Sequence, residues 1–127
     1  MSPTKPTDGE LAILAVLWQR GPSTVRQVFE VLNEGREVGY TTVLKMLQIM
    51  TEKGLVVRDD AERTHVFAAR HSEESTQKGL VQDLLDRAFG GSSMKLVMQA
   101  LATQKASAED LAAIRKMLAE AERGGKP

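Results

Sequence analysis

The sequence predicts a mainly α-helical chain, six helices interrupted once by a β-hairpin. Two observations carry this. Apolar residues recur at helical spacing in six stretches set apart by Gly, Pro and Ser. Between Leu55 and Ala69 alone, the period shortens to two around a polar turn.

Asp8 is placed to cap a first helix running to about Arg20, with Leu11, Leu14, Ala15, Leu17 and Trp18 on its apolar side. Trp18, a lone large aromatic near the helix end, reads as a core residue. Gly21-Pro22 stops this helix, and Ser23 or Thr24 caps a second carrying Val25, Val28, Phe29 and Leu32. Asn33, Gly35 and Arg36 read as the break before a third.

That third helix, between Gly39 and Gly54, sorts its residues by face. Val43, Leu44, Leu47 and Met50 make one apolar stripe. Thr41, Thr42, Lys45, Gln48 and Ile49 fall opposite. An amphipathic helix is common in any globular protein, so its neighbours must decide what it does. Gly39 and Gly54 bracket it with residues that tolerate positive φ.

In the hairpin, Leu55 and Val57 alternate on one strand and His65 and Phe67 on the other, around the turn Asp59 to Arg63. Three short helices and then a hairpin is the order of a winged helix-turn-helix. In that arrangement the third helix enters a DNA major groove and the hairpin, or wing, flanks it. Thr hydroxyls and Lys can bond base edges, and a Thr methyl can meet a thymine methyl. Arg58 and Arg63 are placed to touch phosphates from the wing, with Asp59, Asp60 and Glu62 beside them.

Ser72 caps a long helix with Leu80, Val81, Leu84, Leu85 and Phe89, ended by Gly90-Gly91. Ser92 or Ser93 opens the next, with Met94, Val97, Met98 and Leu101. Ser107, with Asp110 three residues on, starts the last, which carries Leu111, Ile114 and Leu118. Gly124 to Pro127 reads as a frayed tail. These C-terminal stripes are too apolar to stand alone, and the segment is small for an independent core. Pairing with a second copy as a C2 homodimer covers them, with Leu80, Leu84, Leu85, Phe89, Val97, Leu101, Leu111, Ile114 and Leu118 as the dimerisation residues. Folding back within a monomer is the alternative. The expected domains are 1–71, winged helix, and 72–127, helical dimerisation region.

Net charge is zero, and the two portions either side of Arg70 are each balanced. A nucleic-acid binder often carries a basic excess. Any case for DNA therefore rests on where the cations sit. No apolar run approaches the roughly 20 residues that span a bilayer, and Met1 to Thr7 lacks the apolar core of a signal peptide. Without cysteine there is no disulfide framework or thiolate metal site, and a cytoplasmic home is the default. His65 and His71 have no carboxylate cluster at ligand spacing, so no metal or cofactor is expected. There is no phosphate-binding Gly loop and no nucleophile motif. The six methionines suit core filling. No catalytic residue is expected, and the chain does not read as an enzyme.

Nearly the whole chain, from about Thr7 to Ala121, resembles the beta-lactamase and methicillin-resistance repressors of the BlaI/MecI/CopY type. The residues that carry this are Glu10-Leu-Ala-Ile-Leu-Ala-Val-Leu-Trp18 with Gly21-Pro22, then Thr24-Val-Arg-Gln-Val28. Tyr40-Thr-Thr-Val-Leu44, Glu52-Lys-Gly-Leu55 and Leu84-Leu-Asp-Arg-Ala-Phe-Gly-Gly91 follow in order. The resemblance implies a dimeric transcriptional repressor of dyad operators upstream of resistance genes and often of its own gene. It also implies a sensor protease as a partner. Two departures stand out. Gln99-Ala100 occupies the position where the beta-lactam-responsive members are cut between Asn and Phe. The cysteine-rich site of the copper-responsive members has no counterpart here.

The expected mechanism presents two copies of helix 39–54 to successive major grooves, about one helical turn apart. Thr41, Thr42 and Lys45 read bases, with Gln48 beside them on the DNA-binding face, while Thr24 and Arg63 bind phosphates and set register. The competing reading is a winged helix that docks a protein partner without sequence-specific DNA binding. Neutral net charge is its best support.

Overall fold

A computed structural model describes residues 5–61 and 63–124. Met1–Thr4, Glu62 of the wing turn and 125–127 of the expected tail lie outside the described residues. Six helices and two strands follow in order: α1 (Asp8–Arg20), α2 (Val25–Gly35), α3 (Tyr40–Lys53), β1 (Val56–Asp59), β2 (Val66–Ala69), α4 (Glu73–Ala88), α5 (Ser93–Thr103) and α6 (Ala108–Gly124). The chain divides into two compact units, one ending at Val81 and the other starting at Gln82, with the division inside α4.

The first unit holds the buried core. Ile13, Leu14 and Leu17 of α1, Val28 of α2, Val43, Leu47 and Met50 of α3, and Val56 and Phe67 of the hairpin all lie within it. Capping differs from the sequence reading at α1. Thr7, not Asp8, is its N-cap, because Thr7 and Glu10 form a reciprocal capping box and Asp8 is already helical. Ala15 is exposed, while Ile13 and Val16 are buried. The inward stripe starts at Glu10, a charged residue that masks the apolar period. Thr24 and Gln27 form a second capping box on α2. That helix runs through Asn33 and Gly35, so the break begins only at Arg36.

The junction from α3 into the wing corrects two further expectations. Gly39 has an extended φ of −81° and needs no glycine-specific freedom, whereas Gly54 sits in the left-handed region at φ 82°. Around Gly54 the chain makes a Schellman turn. The Leu55 N–H donates to Met50 O at 2.9 Å and the Gly54 N–H to Thr51 O at 3.2 Å. Leu55 is buried as part of that turn, before the strand begins. The strand's inward residue is therefore Val56, and Val57 points out at 47 % exposure, reversing the expected alternation.

β1 and β2 pair antiparallel, with Arg58 opposite Phe67. Sequence inspection missed a third contribution to this sheet. Ser23 and Phe67 exchange backbone hydrogen bonds of 2.9 and 2.8 Å, pinning the α1–α2 turn to the wing. Trp18 packs against this core as a half-buried residue, and its indole N–H donates to His71 O at 2.9 Å.

Glu10 is 4 % exposed, and its carboxylate meets Lys53 Nζ at 2.8 Å, joining the start of α1 to the end of α3. Burial alone pushes this carboxyl up. The hydrogen bond from Lys53, the Thr7 backbone N–H and the Lys53 charge outweigh burial and hold the group below its ordinary value of 4.5. A depressed folded-state value means the contribution is present above pH 4.5 and fades as pH falls through the folded value. Urea titrations at stepped pH should show wild type losing stability on acidification through this window. Glu10→Gln, which keeps an acceptor for Thr7, should have a flatter acid limb and cost roughly 1 kcal/mol or less at neutral pH. Parallel acid limbs would show that this carboxylate contributes nothing.

The C-terminal helices are different in kind. No residue of α4, α5 or α6 is buried. Ser92 caps α5, and Ser107 Oγ accepts from the Asp110 N–H at 2.9 Å at the start of α6. Gly124, expected in the tail, is the last residue of α6.

Candidate nucleic-acid interface

The burial pattern of α3 leaves one side free. Val43, Leu47 and Met50 are fully buried, while Thr41, Thr42, Lys45 and Gln48 are exposed. Because the inner side is locked into the core, the outer side chains are held on a rigid support. Gly39 supplies no side-chain cap, and the first turn of α3 carries no acid.

A groove of about 580 Å³ runs beside this helix, lined by Thr24 and Arg26 of α2, Tyr40 and Gln48 of α3, and Arg58, Arg63 and His65 of the wing among others. Of the sequence-predicted residues it brings together Thr24, Gln48, Arg58 and Arg63. Thr41, Thr42 and Lys45 lie on the exposed part of α3 outside its lining. Thr24 Oγ1 accepts from the Gln27 N–H at 3.2 Å, so its hydroxyl proton can still be donated. Among the described residues, no salt bridge engages Arg26, Lys45 or Arg63. Arg58 differs, because its Nε meets Asp60 Oδ1 at 2.9 Å. His65 Nε2 lies 3.6 Å from the same oxygen, just ahead of β2 and not within it.

Sequence reasoning missed Arg26 and Tyr40. The Arg26 guanidinium carbon lies 5.3 Å from the centre of the Tyr40 ring. Tyr40 in turn meets Phe29 edge-on, centroids 5.6 Å apart at 71°. A cation over an exposed ring is worth about 0.5–1 kcal/mol, enough to bias where the arginine points. Arg26 and Tyr40 are 14 positions apart on different helices, so no periodicity could pair them. Among the described residues, no three His, Asp or Glu side chains are placed to hold a metal, and no helix is long and apolar enough to cross a membrane.

The predicted dimerisation residues are spread over the C-terminal helices, except Phe89, which follows the end of α4. Leu80, Leu85, Phe89, Leu111 and Ile114 are half-buried. Leu84, Val97, Leu101 and Leu118 are exposed, at 45, 48, 42 and 61 %. Met94, Met98 and Met117 are more than three-fifths exposed, which corrects their reading as core filling.

Three helices, a wing and an outward polar helix face define a winged helix-turn-helix. The chain belongs to the penicillinase repressor family, whose model matches residues 6–120. It is 35% identical over 122 residues to the transcriptional regulator BlaI of Mycobacterium tuberculosis, in strains CDC 1551 / Oshkosh and H37Rv, covering 95% of this chain and 88% of the relative. Among solved structures, RosR of H. salinarum grown from NaBr shares the fold at TM-score 0.53 and 20% identity, covering 98% of this chain and all of that one. The complex structure of hsRosR-SG gives TM-score 0.54 at 19% identity, covering 99% and 100%. The family is one of repressors, not enzymes, and the alternative of a winged helix that only docks proteins gives way.

Proposed function

We propose that the protein acts as a homodimer on a dyad operator, with one α3 in each of two successive major grooves, and blocks transcription by covering the promoter. Residues 1–71 are the DNA-reading domain and 72–127 the dimerisation domain of this reading. The observation that carries it is the exposed row Thr41, Thr42, Lys45 and Gln48 on a helix whose other side is fully buried. Thr41, Thr42 and Lys45 read base edges, Gln48 joins them on the DNA side, and Thr24 and Arg63 hold phosphates at the groove that Gln48 also lines.

The C-terminal helices, in which no residue is fully buried, support pairing through the exposed Leu84, Val97, Leu101 and Leu118 and their neighbours. The targets are resistance or stress genes and the repressor's own gene, which places it in the cytoplasm. A sensor protease is the proposed inactivating partner. It would have to accept Gln99-Ala100, exposed within α5, in place of Asn-Phe.

The test is a fluorescence-anisotropy titration. Duplex from immediately upstream of the protein's own gene is compared with a shuffled duplex at physiological salt. Selective binding at two chains per duplex is expected, and equal weak binding to both would overturn the operator reading. Neutral net charge should keep affinity for the shuffled duplex modest. Lys45→Ala should cost about 1–3 kcal/mol on the upstream duplex. If the variant titrates like wild type, Lys45 is not a base contact.

A further inference from the structure

We infer that Arg26 is a DNA-backbone contact, its guanidinium held over the Tyr40 ring to meet a phosphate at the groove between α2, α3 and the wing. The inference rests on the operator reading above and adds a residue that neither the helix pattern nor the wing pointed to.

Three observations converge on it. Arg26 lines the same groove as Arg58 and Arg63, a concentration of cations on a chain of zero net charge. Arg58 is already engaged by Asp60, whereas Arg26 is exposed and no salt bridge engages it among the described residues. The ring beneath Arg26 belongs to Tyr40, the first residue of α3, and is itself braced edge-on by the half-buried Phe29. A stacked guanidinium keeps its N–H edge free, so the planar donor set is aimed while one face is covered.

Position matters too. Arg26 is the second residue of α2, whose first turn contains no acid. A cation there opposes the helix dipole, so the local energetics of α2 do not explain it. An arriving phosphate would be favoured by both the guanidinium and the positive end of α2. Because the ring is part of α3, the same contact sets the angle at which the reading helix meets the duplex.

The test measures affinity by anisotropy across a salt series, on the upstream duplex and on the shuffled one. Arg26→Ala should weaken both by a similar factor and reduce the slope of log K against log salt by about 1.8, since each of the two protomers loses one phosphate contact at about 0.9 apiece. Discrimination between the duplexes should persist. Tyr40→Leu keeps the charge but removes the platform, so affinity should fall with less change in slope, and Tyr40→Phe should restore wild-type binding. An unchanged slope for Arg26→Ala would overturn the inference, as would a lowered thermal midpoint with the salt slope intact, which is the mark of a structural role. A wild-type protein that fails to discriminate would instead defeat the operator reading. A slope reduction for Arg26→Ala on both duplexes would still establish the phosphate contact.

Discussion

Leu101→Asp is expected to split the proposed homodimer and to weaken binding to the proposed operator by about 10²- to 10⁴-fold, the range by which linking two sites raises avidity. Leu101 is 42 % exposed on the single chain, so a carboxylate there is solvated and the protomer should fold as before. In the dimer the same carboxylate would lose water without gaining a partner, a penalty of several kcal/mol per ion. Leu84→Asp, at a position 45 % exposed, serves as an independent second variant. Sedimentation equilibrium should report a monomer for either one, with far-UV circular dichroism unchanged. Affinity for the shuffled duplex should fall much less than affinity for the dyad, since each winged helix keeps its own phosphate contacts. Two variants that remain dimeric and bind normally would move the interface away from these leucines.

Leu47→Ala should behave in the opposite way, damaging the fold while sparing recognition. Leu47 is fully buried on the inner side of α3, in the cluster that includes Ile13, Leu14, Val28 and Val43. Truncation removes its transfer energy and leaves a cavity, at a cost of about 2–5 kcal/mol. Set against total stabilities of about 5–15 kcal/mol, that is a large share. Urea unfolding should show a lower midpoint at an unchanged slope. At a temperature where the variant stays folded, its discrimination between duplexes should match wild type, because Leu47 faces away from the proposed DNA side. Lys45→Ala should give the mirror image, with stability kept and specific affinity lost. An unmoved midpoint for Leu47→Ala would mean that α3 is not seated as its burial indicates.

The helices of this protein, and the two faces of α3, were legible in the sequence because each rests on near neighbours. A 3.6-residue period, a threonine or serine ahead of it and a glycine behind it are all local signals. The wing was only half legible. Gly54 and Leu55 belong to a Schellman turn, so the strand starts one residue later than the alternation of Leu55 and Val57 suggested, and a one-residue shift exchanges its faces. The stripe of α1 was blurred because its first inward position is Glu10, a residue whose burial makes sense only once Lys53, 43 positions away, has met it. The same holds for the Ser23–Phe67 bridge and for Trp18 reaching His71. Of the candidate interface, the exposed row from Thr41 to Gln48 follows from helix geometry alone, since a helix with one buried side must show its other side. That Arg26 lies over Tyr40 was decided only when α2 and α3 packed together. A pairing between separate elements depends on how their backbones are placed, and spacing along the chain carries no trace of it.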